Sequence, residues 1–183
     1  MNPRRALARL SAGTVAYAVR TQGEPELVAG DVCFALAQVP DEAGQLLLMW
    51  KWAGHDGCRA ELERALLLRV AKRASEERWD NRGRKGLLRR MVALALDEVA
   101  GRNRCKGCGG SGKVYRGGDV LDCVHCGGEG AVALSERALA CAAGVSKSAW
   151  HRHWGERQRG VVLMVERLEG VSLLALKGGL EES

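Results

Sequence analysis

Four cysteines carry the clearest chemistry in the chain. They fall in two stretches, CKGCGGSG from Cys105 to Gly112 and CVHCGGEG from Cys123 to Gly130, each of the form CxxCxGxG. A CxxC turn puts two sulfurs on one side of a tight knuckle. Two knuckles supply the four thiolates of a tetrahedral Zn²⁺ site, with Zn–S bonds of about 2.3 Å. Cys105, Cys108, Cys123 and Cys126 are therefore expected to hold one zinc ion. Four protein ligands leave no open position for water, so its expected role is structural. The glycines after each knuckle allow positive φ where the chain turns back. Between the halves, Lys113-Val114-Tyr115 and Val120-Leu121 flank Gly117-Gly118, the pattern of a short β-hairpin. His125 lies inside the second knuckle and is read as a surface residue, since four thiolates are already at hand. Gly107 to Lys113 also matches GxxxxGK, the opening of a phosphate-binding loop. Val114 stands where that motif needs Ser or Thr, Cys108 lies inside the match and no strand precedes it, so that reading is rejected.

A second cluster of signals runs from Leu134 to Arg159. Ser135 is a good N-cap, Glu136 suits the positive end of a helix dipole, and Leu134 can staple onto Leu139. Gly144 supplies a left-handed turn after SERALACA, and Ser146 then caps a second helix, with Val145 stapling onto Trp150. Two short capped helices joined in this way predict a helix-turn-helix, whose second helix enters a major groove. At 100° per residue, Trp150 and Trp154 fall together and face the first helix. Ser148, Arg152 and Arg159 fall opposite, with Lys147 and His151 on the flanks. These residue types reach phosphates and base edges, so Lys147, Ser148, His151, Arg152 and Arg159 are the candidate DNA contacts. His151 and His153 form an HxH pair without cysteine or carboxylate neighbours and read as helix surface.

The elements that must position these clusters are helices. Of 183 residues 46% are hydrophobic but only 4% aromatic, so the core must be built from Leu, Val and Ala. Residues 1–25, with Arg4, Arg5, Arg9 and Arg20, read as a loosely packed N-terminal arm or a short helix. A helical portion follows over 26–104, with helices expected from Leu27 to Val39 (stopped by Pro40), Leu46 to Trp52, Arg59 to Trp79 and Leu87 to Val99. The last should bury Leu88, Met91, Val92, Ala95 and Leu96. Residues 105–130 are the zinc finger, inserted between helices. Residues 134–177 hold the helix-turn-helix and a C-terminal helix containing VVLMVERL, which could pack on the Leu87–Val99 segment. Residues 178–183 are a tail, expected to fray. Gly155 and Gly160 predict a kink or break after Trp154. The expected fold is thus mainly α, a helical bundle domain with a helix-turn-helix and an inserted (CxxCxGxG)₂ zinc finger. Cys33, Cys58 and Cys141 read as small core residues.

Net charge is +6 and the isoelectric point about 9.1. Between Arg59 and Lys106 stand 14 Lys and Arg against 7 Asp and Glu. Such an excess suits a polyanionic partner, and Arg82, Arg84 and Lys85 in the loop NRGRKG are candidates for phosphate or nascent-RNA contact. No apolar run is long enough for a transmembrane helix, and the basic start lacks the apolar stretch of a secretory signal. Paired CxxC motifs point to metal binding in a reducing compartment rather than to a disulfide framework.

These parts, in this order, resemble the lambda-type phage late-gene antiterminators, the Q family. The likeness covers roughly residues 45–170. It is most specific at Cys105–Gly130 together with Trp150, Arg152 and the apolar helix that follows. It implies a non-enzymatic transcription antitermination factor working in the cytoplasm of a bacterial host. Such a protein binds duplex DNA at a late promoter and engages the paused host RNA polymerase, with sigma factor and nascent RNA as further candidate partners. It then travels with the enzyme through terminators. Self-association is left open, and no membrane partner is implied.

Three other readings compete. DnaJ-type chaperones use CxxCxGxG in four copies; two occur here, and the HPD tripeptide of their J-domain is absent. An enzyme would need more than His55, Asp56 and Cys58 in GHDGC, which nothing in the sequence orients, and neither GxSxG nor HExxH occurs. The serious alternative is a conventional helix-turn-helix transcription regulator stabilised by zinc, which shares every motif.

Overall fold

The computed structural model describes residues 4, 7, 29–80, 83–100, 105, 107, 108, 111–116, 119–130, 132 and 134–181. The protein is mainly helical, with one small two-stranded sheet. It divides into two compact units: residues 1–76 with 166–183, and residues 77–165.

The first unit holds α1 (Ala29–Ala37), α2 (Glu42–Lys51), a 3₁₀ turn (Asp56–Cys58), α3 (Arg59–Glu76) and the C-terminal part of a long last helix, α7 (Gly155–Glu181). Pro40 follows α1, and Asp41 starts α2 by accepting a 3.0 Å bond from the Ala43 N–H. Val32 and Ala35 of α1, with Val39 just beyond it, pack with Leu7, Leu48, Leu176 and Leu180 into one apolar cluster. α3 buries Leu62, Leu66, Val70 and Ala74, a stripe at spacings of four. Small residues let α7 come close to its neighbours. A Cβ on Gly179 would sit 3.0 Å from the Ala35 Cα, and one on Gly44 would collide with the Ser172 Oγ. Glu169, nearly buried, accepts from Lys51 Nζ at 2.7 Å and from the Trp52 indole at 2.9 Å, so both carboxylate oxygens are satisfied.

The second unit holds α4 (Leu87–Val99), β1 (Lys113–Arg116), β2 (Asp119–Asp122), α5 (Glu136–Ala143), a single helical turn α6 (Lys147–Ala149), a π turn (Trp150–Trp154) and the start of α7. The strands are antiparallel, with Lys113 opposite Asp122 and Arg116 opposite Asp119. α4 buries Leu87, Met91, Val92, Ala95 and Leu96; Leu87 rather than the expected Leu88 faces inward, because the stripe begins one residue earlier. Buried Gln158 of α7 donates to the Met91 carbonyl at 3.2 Å, which joins the start of α7 to α4.

Several expectations give way. The helix does not break at Gly155 or Gly160. The chain instead widens to an i→i+5 bond from the Gly155 N–H to the Trp150 carbonyl, then continues as α7. Gly178 and Gly179 lie inside α7, which reaches Glu181 because Leu180 is buried in the first unit's core. Cys33 and Cys141 are exposed and Cys58 half-buried, not core residues; Cys33 and Cys141 each fall one position outside their helix's buried stripe. Among the described residues, no helix is long and apolar enough to cross a membrane.

Candidate metal centre and basic surface

The two CxxCxGxG halves are related by a shift of 18 positions, and their backbone bonds repeat with that shift. The Cys105 N–H donates to the Gly130 carbonyl and the Cys123 N–H to the Gly112 carbonyl, both at 2.8 Å. The Gly112 N–H donates to Cys108 Sγ and the Gly130 N–H to Cys126 Sγ, both at 3.2 Å. Each half therefore closes the other. Gly112 and Gly130 hold φ of +73° and +77°, the left-handed region. At Gly112 the packing forbids a side chain as well, since a Cβ would collide with the Gly128 carbonyl oxygen.

This geometry brings all four sulfurs within 4.8 Å of one another. Cys105 and Cys123 Sγ are 3.8 Å apart, as are Cys108 and Cys126 Sγ. Tetrahedral thiolates about 2.3 Å from a shared zinc must stand about 3.8 Å apart, so the separations fit that ion. Cys105 and Cys123 are buried, and Cys108 and Cys126 half-buried. Burial pushes the Cys123 thiol up from 9.0 to about 11, and the Cys105 thiol beside it acts in the same direction. A bound divalent cation reverses this balance, because it stabilises thiolate and releases the proton. The tetrad is placed to hold one metal ion, with a donor set compatible with structural zinc. His125 is exposed and stands over Gly107 rather than among the sulfurs.

No family model matches the chain, and no curated protein matches it.

Downstream of the metal centre, local chemistry sets two helical pieces. Ser135 Oγ accepts from the Ala138 N–H and Ser146 Oγ from the Ala149 N–H, both at 3.2 Å. Between them Gly144 turns with φ +71° and ψ +36°. Leu134 remains exposed, so the expected hydrophobic staple at that end is not its main contact. Trp150 and Trp154 are buried, and the Trp154 ring meets Trp79 edge-on at 6.3 Å between centroids.

Lys147, Ser148, His151, Arg152 and Arg159 are all exposed. The first four sit on α6 and the π turn, and Arg159 lies in the first turns of α7. Arg152 Nε donates to the Ser148 carbonyl at 3.3 Å, which anchors the base of the guanidinium. His151 Nδ1 lies 3.7 Å from Glu136 Oε2, a pairing that becomes ionic when the imidazole is protonated. Arg84 and Lys85 are exposed in the turn before α4, while Arg82 lies outside the described residues.

Two arginines hold places in this surface that no local sequence pattern marks. Arg157 stacks over the Trp154 ring at 4.7 Å and the Trp79 ring at 5.4 Å. Arg90 donates from Nε to the Ala143 carbonyl at 2.8 Å and from Nη1 to the Lys85 carbonyl at 3.1 Å. Its Ala143 partner is 53 positions away, so no local pattern could reveal the role.

Proposed function

We propose that this protein is a phage-type transcription antitermination factor. In this reading it binds promoter DNA through a helix-turn-helix formed by α5, the Gly144 turn and the α6–π segment. It then modifies the host RNA polymerase so that the enzyme reads through terminators of late genes. One structural zinc ion on Cys105, Cys108, Cys123 and Cys126 holds the finger, and no residue has a catalytic role. The protein acts in the cytoplasm of the host cell.

The observation that carries the DNA step is a division of faces on one short segment. Trp150 and Trp154 are buried, while Lys147, Ser148, His151 and Arg152 are exposed beside them. A helix anchored by aromatic residues on one side and bearing Ser, Arg and Lys on the other can lie in a groove and meet phosphates and base edges. The polymerase step rests on the resemblance to lambda-type antiterminators.

A duplex selected by the protein from a random-sequence library tests the DNA step. Arg152→Ala should weaken binding to that duplex about 10- to 100-fold and relax its sequence preference, as expected for loss of one bidentate base contact. Unchanged affinity and preference would remove Arg152 from the interface.

A further inference from the structure

The turn before α4 is fastened to the proposed DNA-reading unit at two points. The first is Arg90, one turn into α4. Its fork serves the carbonyl of Lys85 on one side and that of Ala143, the last residue of α5, on the other. The last carbonyls of a helix lack intrahelical donors and carry the negative end of its dipole, so a guanidinium suits this place. Gly144 lies flat against that guanidinium; a Cβ there would come within 2.9 Å of Nη2 and 3.2 Å of Cζ. The second point is Arg84, whose guanidinium stands 5.5 Å over the Trp154 ring while Nη1 donates to the Asp80 carbonyl at 2.9 Å. One tie reaches the end of α5 and the other the end of the π turn, and these bracket Ser148 and Arg152 in the chain.

We propose that Arg84 and Lys85 contact phosphates of the same duplex that α6 and the π turn read, and that Arg90 is the positioning residue that holds them there. This rests on the DNA-binding reading above and adds to it a second contact and its support. Arg90 suits the task through its shape as well as its charge. A planar guanidinium bonds two carbonyls in fixed directions at once, whereas the lysine ammonium is a point charge on a flexible stem.

Phosphate contacts are counted by salt dependence, because each neutralised phosphate contributes about −0.9 to the slope of log K against log salt. The experiment uses the full zinc-loaded chain and a short mixed-sequence duplex, with melting temperature and zinc content as controls for folding. Removing both contacts in Arg84→Ala/Lys85→Ala should make the slope shallower by about 2. Arg90→Lys keeps the net charge yet should make it shallower by a similar amount, and adding it to the double variant should change nothing further. A purely structural role for Arg90 would lower the melting temperature and leave the slope alone. A wild-type slope in the double variant overturns the loop contact, and its melting temperature shows separately what losing the Arg84 ties to Trp154 and Asp80 costs the fold. A wild-type slope in Arg90→Lys, with the double variant affected, overturns the positioning role. Wild-type protein that binds no duplex at any salt concentration defeats the DNA-binding reading itself, an outcome distinct from both.

Discussion

Gly112 joins the two halves of the metal centre at a single residue. Its N–H bonds Cys108 Sγ, its carbonyl takes the Cys123 N–H, its φ of +73° disfavours a side chain, and the Gly128 carbonyl oxygen leaves no room for one. Outer contacts that orient metal ligands typically carry a 10- to 100-fold effect on metal affinity. Gly112→Ala should therefore weaken zinc binding by about 10- to 100-fold in competition with a chromophoric chelator. Undiminished affinity would mean that the N–H···S bond and the turn contribute nothing. Asp41 supports a second prediction at this scale. The Arg69 guanidinium, 2.6 Å away, holds its carboxyl below the ordinary value of 3.8, with the Ala43 N–H adding to the effect. A depressed carboxylate pKa contributes stability above its unfolded value and loses it as pH falls through the folded value. Stability should thus decline as pH drops below about 4, and Asp41→Asn should flatten that part of the pH–stability curve. An unchanged curve would remove Asp41 from the acid response.

At the scale of elements, much was legible where the signals were local. The paired CxxC motifs, the pairing of β1 with β2, the bounds of Leu87–Val99, the Ser135 and Ser146 caps and the Gly144 turn all depend on neighbours a few positions apart. The π turn was not legible. Within it the Trp150 indole packs on Gly155, where an added Cβ would come within 3.1 Å of Nε1. The continuation of α7 through five glycines was equally hidden. Isolated glycines cost a helix about 1 kcal/mol each relative to alanine. Here Gly179 repays part of that cost by close approach to Ala35, and residue 180 is anchored in the core. Gly170 and Gly178 face open space, and nothing in the structure explains them. Gly144 gives the prediction for this scale. Gly144→Ala adds a left-handed alanine, about 1–2 kcal/mol, and pushes on Arg90. Urea unfolding should show a loss of at least about 1 kcal/mol, and an unchanged midpoint would contradict the packing described.

At the scale of the whole molecule, α7 gives residues 155–165 to one compact unit and 166–181 to the other. The sequence segments, drawn from composition, could not show that division, because it depends on contacts such as Lys51 with Glu169, 118 positions apart. The basic excess is a property of this scale too. It suits a polyanion, but it does not distinguish a regulator that stays at a promoter from a factor that leaves with the polymerase. DNA binding is common to both, so the deciding measurement is transcription in vitro by bacterial RNA polymerase. The template carries a promoter with the duplex sequence the protein selects, followed by a terminator. The protein is expected to raise the fraction of full-length transcript, only on templates carrying that sequence, and Arg152→Ala and Cys105→Ser should each remove the effect. Termination that is unchanged while the promoter is demonstrably occupied would contradict antitermination and leave a conventional zinc-stabilised regulator.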